Sequence, residues 1–374
     1  MQFASIARAL DGRDERRETS AMAPVRVGLI GYGLAGSAFH APLIAVLQEL
    51  GLAAIVTSDP ERRARAARDH PNARIVDTAD RLWDLAGELD LVVVATPNRT
   101  HVPLARAALE AGLAVVVDKP FAPTAAEARA LIDEARMRQR LLTVYQNRRW
   151  DGDFITVRQL VAGGALGTVF RLESRLDRWR PIPKGGWRER GDPGEAGGLL
   201  YDLGSHLIDQ ALVLFGPAAS VYAELDRRRE RMAVDDDAFV AITHISGARS
   251  HLSMTAVAAQ PGARLRVLGS SGAYVKFGAD PQEDALRRGE RPGPHWGEDP
   301  RERWGTLGAG DDVLPVPTAP GAYQDFYAAV AAALHDGGPP PVDPHDALAG
   351  LEVIEAAQRS AAEGDVITLR ARVE

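Results

Sequence analysis

Three side chains carry the chemistry this sequence offers: Lys119, Asp202 and His206. Asp202 and His206 are four residues apart, so on a helix they share a face. A neutral imidazole can take a proton from an alcohol near physiological pH. A carboxylate one turn away can orient the ring and stabilise its charged form, although the same spacing also suits an ion pair on an ordinary helix surface. Gly197 and Gly198, just before them, would let another group approach the start of that helix. Lys119 stands between Asp118 and Pro120 at the end of an apolar run. Its ammonium can donate to a substrate hydroxyl or carbonyl and to a cofactor ribose, and its charge favours an alkoxide. A solvated loop lysine is the plainer alternative. Asp209 reads as a supporting or surface residue.

The elements that must hold these groups begin with residues 25–36, VRVGLIGYGLAG. An apolar, β-branched strand runs into a turn with glycines at 31, 33 and 36, and helical spacing follows. This is the order a dinucleotide site needs. Gly31 permits the reversal, Gly33 lets the backbone approach a pyrophosphate, and Gly36 lets the helix pack on the strand. Tyr32, Leu34 and Ala35 complete the turn, and the helix start offers free N–H groups to phosphate. Further apolar runs at 52–57, 73–76, 91–95, 113–117 and 141–145 alternate with helical stretches, which indicates a parallel sheet covered on both faces. Thr100 and Thr124 suit helix caps, and Gly112 a helix stop. Ligands of such sheets lie beyond the carboxyl ends of the strands. Five turns meet there: 31–36, Ser58, Thr96-Pro97-Asn98, Lys119-Pro120 and 147–149. An acid at the end of the second strand would select NAD. Here Ser58 holds that position, Asp59 falls one residue late, and Ser58 with Arg62 or Arg63 could hold the 2′-phosphate of NADP.

Beyond residue 151 the pattern changes to period-two strands at 167–176, 220–226, 238–245, 250–258, 264–269 and 273–277, a mainly antiparallel sheet. Residues 280–317, rich in Gly, Pro and charge, read as a long loop. Helices at 323–335 and 344–363 and a last strand at 366–370 follow. Trp179, Lys184, Trp187 and Arg188 could line a sugar pocket, whereas His40 and His101 suit packing or capping. Arg148 and Arg149 suit either ligand binding or structural ion pairs.

The chain of 374 residues has room for two domains. The expected fold is α/β: a Rossmann dinucleotide-binding domain at 23–147, then an α+β domain at 148–374 with a large, open, mainly antiparallel sheet. Residues 1–22 mix Arg with acids, resemble neither a signal nor a transit peptide, and read as a disordered extension. With no cysteine there is no disulfide or thiolate metal site, and no metal site is read elsewhere. A net charge of −7 argues against nucleic-acid and anionic-membrane partners. No apolar run approaches the roughly 20 residues of a membrane span. The expectation is a cytoplasmic homodimer or homotetramer, because an open sheet face needs covering.

The glycine turn, Ala95-Thr96-Pro97-Asn98, Asp118-Lys119-Pro120 and Gly-Gly…Asp202-x-x-x-His206 together resemble the Gfo/Idh/MocA oxidoreductases. The resemblance runs from about residue 25 to the C-terminus, and residues 31–40, 146–153 and 198–210 are most similar to the NADP-dependent scyllo-inositol dehydrogenase branch. It implies a polyol or sugar substrate, NADP or NAD as cofactor, and Lys119, Asp202 and His206 as the catalytic set. Asp118 replaces the commoner Glu of the family motif. A dinucleotide-binding regulator of the same fold would typically have lost the lysine or the histidine.

Overall fold

In the computed structural model, residues 23–369 are described; the expectation for residues 1–22 lies outside them. Strand β1 (Val25–Ile30) is buried except for Arg26, as a strand covered on both faces must be. It pairs in parallel with β2 (Leu50–Val56) and β4 (Leu91–Val94). With β3 (Arg74–Val76), β5 (Ala114–Asp118) and β6 (Leu142–Tyr145) the order is β3-β2-β1-β4-β5-β6, all parallel. Helices α1 (Ala41–Ala45), α2 (Pro60–Asp69), α3 (Ala79–Trp83), α4 (His101–Glu110) and α5 (Ala125–Met137) form the crossovers. The order reverses between β1 and β4, which opens the ligand crevice at their carboxyl ends.

Local chemistry explains the helix starts. Asp59 caps α2 by accepting from the Arg62 N–H (2.8 Å), and Thr124 caps α5 through the Glu127 N–H. Thr100 does not cap α4; its hydroxyl instead bonds the Pro97 carbonyl and the Thr96 hydroxyl, each at 2.7 Å. The helix expected straight after the glycine turn begins as a π-turn, Ala35–His40, in which the Ala41 N–H reaches back to the Gly36 carbonyl.

After α6 (Gly152–Ala162) comes a nine-stranded sheet. Its strands are β7 (Val169–Asp177), β8 (Ala218–Asp226), β9 (Asp237–His244), β10 (Arg249–Thr255), β11 (Leu265–Gly269), β12 (Gly272–Lys276), β13 (Gly305–Ala309), β14 (Asp312–Val316) and β15 (Ile367–Thr368). The order is β14-β13-β12-β11-β7-β10-β9-β8-β15. Every pairing is antiparallel except β7 with β10, so the sheet is mixed at its centre. Residues 280–317 correct the long-loop expectation: they contain α8 (Gln282–Arg287) and the hairpin β13–β14. That hairpin forms the sheet edge, β14 is largely exposed and Pro315 interrupts it, so no burial pattern marks it in the sequence.

Helix α7 (Ser205–Phe215), preceded by a second π-turn (Leu200–Gly204), and α10 (Pro344–Glu363) cover one face of this sheet. Helix α9 (Tyr323–Asp336) packs instead against the glycine-turn helix through Tyr327 and Phe326. One continuous apolar cluster joins Val115 and Val117 of the first sheet to Leu172 and Val240 of the second through Leu351 and Ile354 of α10. No helix among the described residues is long and apolar enough to cross a membrane.

Candidate active site

A cavity of about 360 Å³ opens between the two sheets. Leu34, Ala35 and Phe39 line it, and so do Lys119, Asp202 and His206. The glycine turn shapes the part lined by Leu34 and Ala35. Gly31 has φ +99°, and a Cβ there would stand 2.4 Å from the Ala95 carbonyl oxygen; at Gly36 it would stand 1.9 Å from the Gly31 oxygen. Side chains at either position would therefore force β1, β4 and the helix start apart. At Gly33 only the tip of Arg62 comes within 4 Å of such a Cβ, so the backbone there is left open. An open backbone beside a helix start and a guanidinium fits the pyrophosphate of a dinucleotide. Thr96, at the end of β4, lies against Gly31.

Lys119 extends from the end of β5 across to the second π-turn. Its Nζ donates to the Asp202 carbonyl (2.6 Å) and pairs with the Asp202 carboxylate (3.1 Å). Arg188 Nε and Arg178 Nη1 lie 3.5 and 3.8 Å from the same carboxylate. Burial pushes the Asp202 carboxyl up, but Lys119, Arg188 and Arg178 more than reverse this and hold it well below the usual carboxylate range. The expectation that Asp202 orients His206 is thus corrected. Among the described residues the His206 side chain makes no hydrogen bond, and its buried Nδ1 has no partner. The π-turn carrying Asp202 breaks the α-helical register on which the four-residue argument rested. Burial lowers the His206 pKa well below its ordinary value, and the nearby charges of Lys119, Arg148, Arg178 and Arg264 lower it further. The ring is therefore neutral at physiological pH.

Behind Lys119, Asp118 accepts from the Lys119 main-chain N–H (2.8 Å), and its other oxygen lies 3.7 Å from His40 Nε2. His40 bonds the Tyr327 hydroxyl through Nδ1. His101 ties the Thr96 carbonyl (3.0 Å) to the Pro120 carbonyl (2.9 Å), fixing the β4 turn to the lysine turn, whose Lys119–Pro120 bond is cis. Both histidines pack, as expected.

Other expected residues fall less directly on the cavity. The Asn98 amide donates to the Glu195 carbonyl (2.7 Å), so it binds the two halves of the chain together. Ser58 and Arg63 are exposed, and it is Arg62 rather than Arg63 that approaches Gly33. The Asp59 carboxylate is occupied in capping α2. Arg149 forms two bonds to Asp209 (2.6 and 2.8 Å), and Arg148 pairs with Asp151 (3.2 Å) and Glu283, so ion pairing holds both arginines. Lys184, Trp187 and Arg188 line the cavity; Trp179 does not, and is 58% exposed. Among the residues missed in the sequence are Arg178, Arg180, Glu283 and Arg287. Arg178 directly follows β7, and the carboxyl end of that strand was the available signal.

Comparison with known proteins agrees with this geometry. Residues 25–146 match the model of the oxidoreductase family's NAD-binding Rossmann fold (GFO_IDH_MocA), and residues 158–369 match its C-terminal alpha/beta domain. The uncharacterized oxidoreductase YdgJ of Escherichia coli K12 is 45% identical over 90% of this chain and 96% of its own length. The scyllo-inositol 2-dehydrogenase (NADP(+)) IolW of Bacillus subtilis 168 is 36% identical over 92% and 96%. The solved structure of yvaA from Bacillus subtilis superposes with a TM-score of 0.88 at 35% identity, over 94% of this chain and all of the other. A dinucleotide-binding sheet, a lysine and a histidine on one cavity, and family matches over both halves lead to one conclusion: the chain belongs to the Gfo/Idh/MocA family of oxidoreductases.

Proposed function

We propose that this oxidoreductase moves hydride between NADP and a secondary alcohol or ketone carbon of a cyclitol or sugar, in the manner of an inositol or inosose substrate. The observation that carries this reading is the placing of Lys119 and His206 on one cavity with Leu34 and Ala35 of the glycine turn. The turn residues 31–36, with Thr96 and Pro97, would hold the dinucleotide, and Lys119 would reach its ribose. Preference for NADP draws on three features: Ser58 in the usual acidic position, an Asp59 carboxylate engaged in capping, and Arg62 beside Gly33. When bound, the nicotinamide supplies the hydride acceptor or donor.

The chain's own residues handle the proton and the charge. His206, neutral and unpaired, takes the hydroxyl proton at Nε2 during oxidation and returns it during reduction. The Lys119 ammonium steadies the oxyanion that develops on the same oxygen. Asp202 holds that ammonium in place by two contacts, which makes it a positioning residue. The reading also includes a cytoplasmic site, where the dinucleotide pool is, and a homodimer or homotetramer built on the open face of the nine-stranded sheet. Support for the assembly comes from β9, whose residues alternate between buried and half-buried, and from Phe170 on β7, left 47% exposed.

The test is a turnover screen of inositols, inososes and aldoses with NADP and NAD side by side, followed by His206→Ala on the best substrate. The expected result is a loss of turnover by about 10²–10⁴-fold with dinucleotide affinity near that of the parent. Unchanged turnover in the variant would sink the assignment.

A further inference from the structure

The cavity carries a surplus of positive charge. Eight Lys or Arg side chains line it against five Asp or Glu. Some of these cations are better matched: Arg229 pairs with Asp236 (2.8 Å) and Glu189 (3.1 Å), and Arg287 shares Glu283 (2.7 Å) with Arg148. Others are not. Asp202 is the single carboxylate shared by Lys119, Arg188 and Arg178. Arg178 lies farthest from it, at 3.8 Å, and among the described residues its side chain makes no hydrogen bond, although only 24% of it is exposed. Burial disfavours its charge, and repulsion from Arg180 and Arg148 adds to what Asp202 and Glu283 offset only in part, so its pKa is lowered. Arg180, two residues on, and Lys184 line the same cavity, and among the described residues neither side chain has an ion pair. A half-buried guanidinium without its own counter-charge is unfavourable in the free protein and becomes favourable when a ligand brings the charge.

The dinucleotide phosphates do not account for this cluster. They belong with the glycine turn, where Arg62 approaches Gly33. Arg178 follows β7, in the other sheet, and shares a carboxylate with Lys119. A group bound at Arg178 and a hydroxyl bound at Lys119 therefore belong to one ring-sized molecule. A neutral polyol would leave the guanidiniums unmatched. A carboxylate or phosphate would meet the planar, two-pronged donor face that guanidinium offers.

We propose that the substrate is an anionic sugar or cyclitol, with a carboxylate or phosphate held between Arg178 and Arg180 while its reacting carbinol carbon lies beside Lys119 and His206. This rests on the hydride-transfer reading above. Lys184 and Arg188, at the exposed rim, draw such a ligand in.

The experiment compares matched neutral and anionic compounds on the dinucleotide-loaded enzyme: glucose with glucuronate and with glucose 6-phosphate, and myo-inositol with its monophosphates. The expected result is a kcat/KM at least about tenfold higher for the anionic member of at least one pair. The carboxylate and phosphate arms identify which group is preferred. That excess should shrink as sodium chloride is raised, because added salt screens the attraction. In Arg178→Met the anionic-to-neutral ratio should fall at least about tenfold. Arg180→Met, at an exposed position, gives the same readout if the first variant fails to fold. Equal or better turnover of the neutral members overturns the proposal and leaves the hydride-transfer reading standing. So does an unchanged ratio in the arginine variants. If no member of any pair is turned over, the hydride-transfer reading falls and this inference falls with it.

Discussion

Replacing Asp202 with asparagine separates two roles for its carboxylate, support of Lys119 and support of His206. The substitution keeps the main-chain carbonyl, and with it the 2.6 Å bond from Lys119 Nζ, but removes the charge 3.1 Å from the same ammonium. At an effective permittivity of about 20, a contact of that length amounts to about 5 kcal/mol. The two side chains are 15% and 24% exposed, so solvent reduces this to about 2–3 kcal/mol. Arg178 and Arg188, left without their shared carboxylate, then repel the ammonium. If that energy appears in the transition state, kcat falls by about 10²-fold. The assay is the rate of dinucleotide reduction across a wide pH range. The loss should appear as a lower kcat across the profile, while the acidic limb, set by His206, stays nearly fixed. A displaced acidic limb would put the carboxylate on the histidine and refute this reasoning.

Two further outcomes follow from the same geometry. Because burial lowers the His206 pKa, its base form persists as pH falls; the rate of alcohol oxidation should hold steady through pH 6.5 and decline only well below it. A pH–rate profile with its acidic limb at or above that value would contradict this environment. Arg62→Ser should reduce the preference for NADP over NAD about tenfold, read as a ratio of kcat/KM values, if that guanidinium meets the 2′-phosphate. A preference that stays constant would move the phosphate contact elsewhere.

The first sheet was legible because its strands are unbroken apolar runs, a pattern that few other environments produce. LVVV at 91–94 and AVVV at 114–117 are buried at every residue. The glycines at 31 and 36 were legible for a related reason, since their positions tolerate no side chain. The β13–β14 hairpin was not, because an exposed edge strand carries no burial signature and its glycines and proline imitate a loop. Lys119, Asp202 and His206 could be picked out by type and spacing. Their pairing could not, because the bond between Lys119 and Asp202 spans 83 residues and crosses between two sheets. The π-turn under Asp202 leaves no trace in composition, so the expected Asp202–His206 contact had no counter-signal. Arg178 looked like any strand-end arginine until its neighbours were known.

Helix α10 is shared property of the two halves. Its apolar side chains sit in one cluster with both sheets, Glu355 accepts from the main-chain N–H that opens α5, and Asn98 is fastened to Glu195 on the far side of the cleft. Among the described residues these contacts tie the two sheets together. Traffic of ligands into and out of the cleft then falls to the segment between β7 and the second π-turn, whose backbone carries little regular structure and whose Trp187 and Lys184 stand at the mouth. Slow amide exchange should run uninterrupted from one sheet through α10 into the other, and fast exchange should gather on that segment alone.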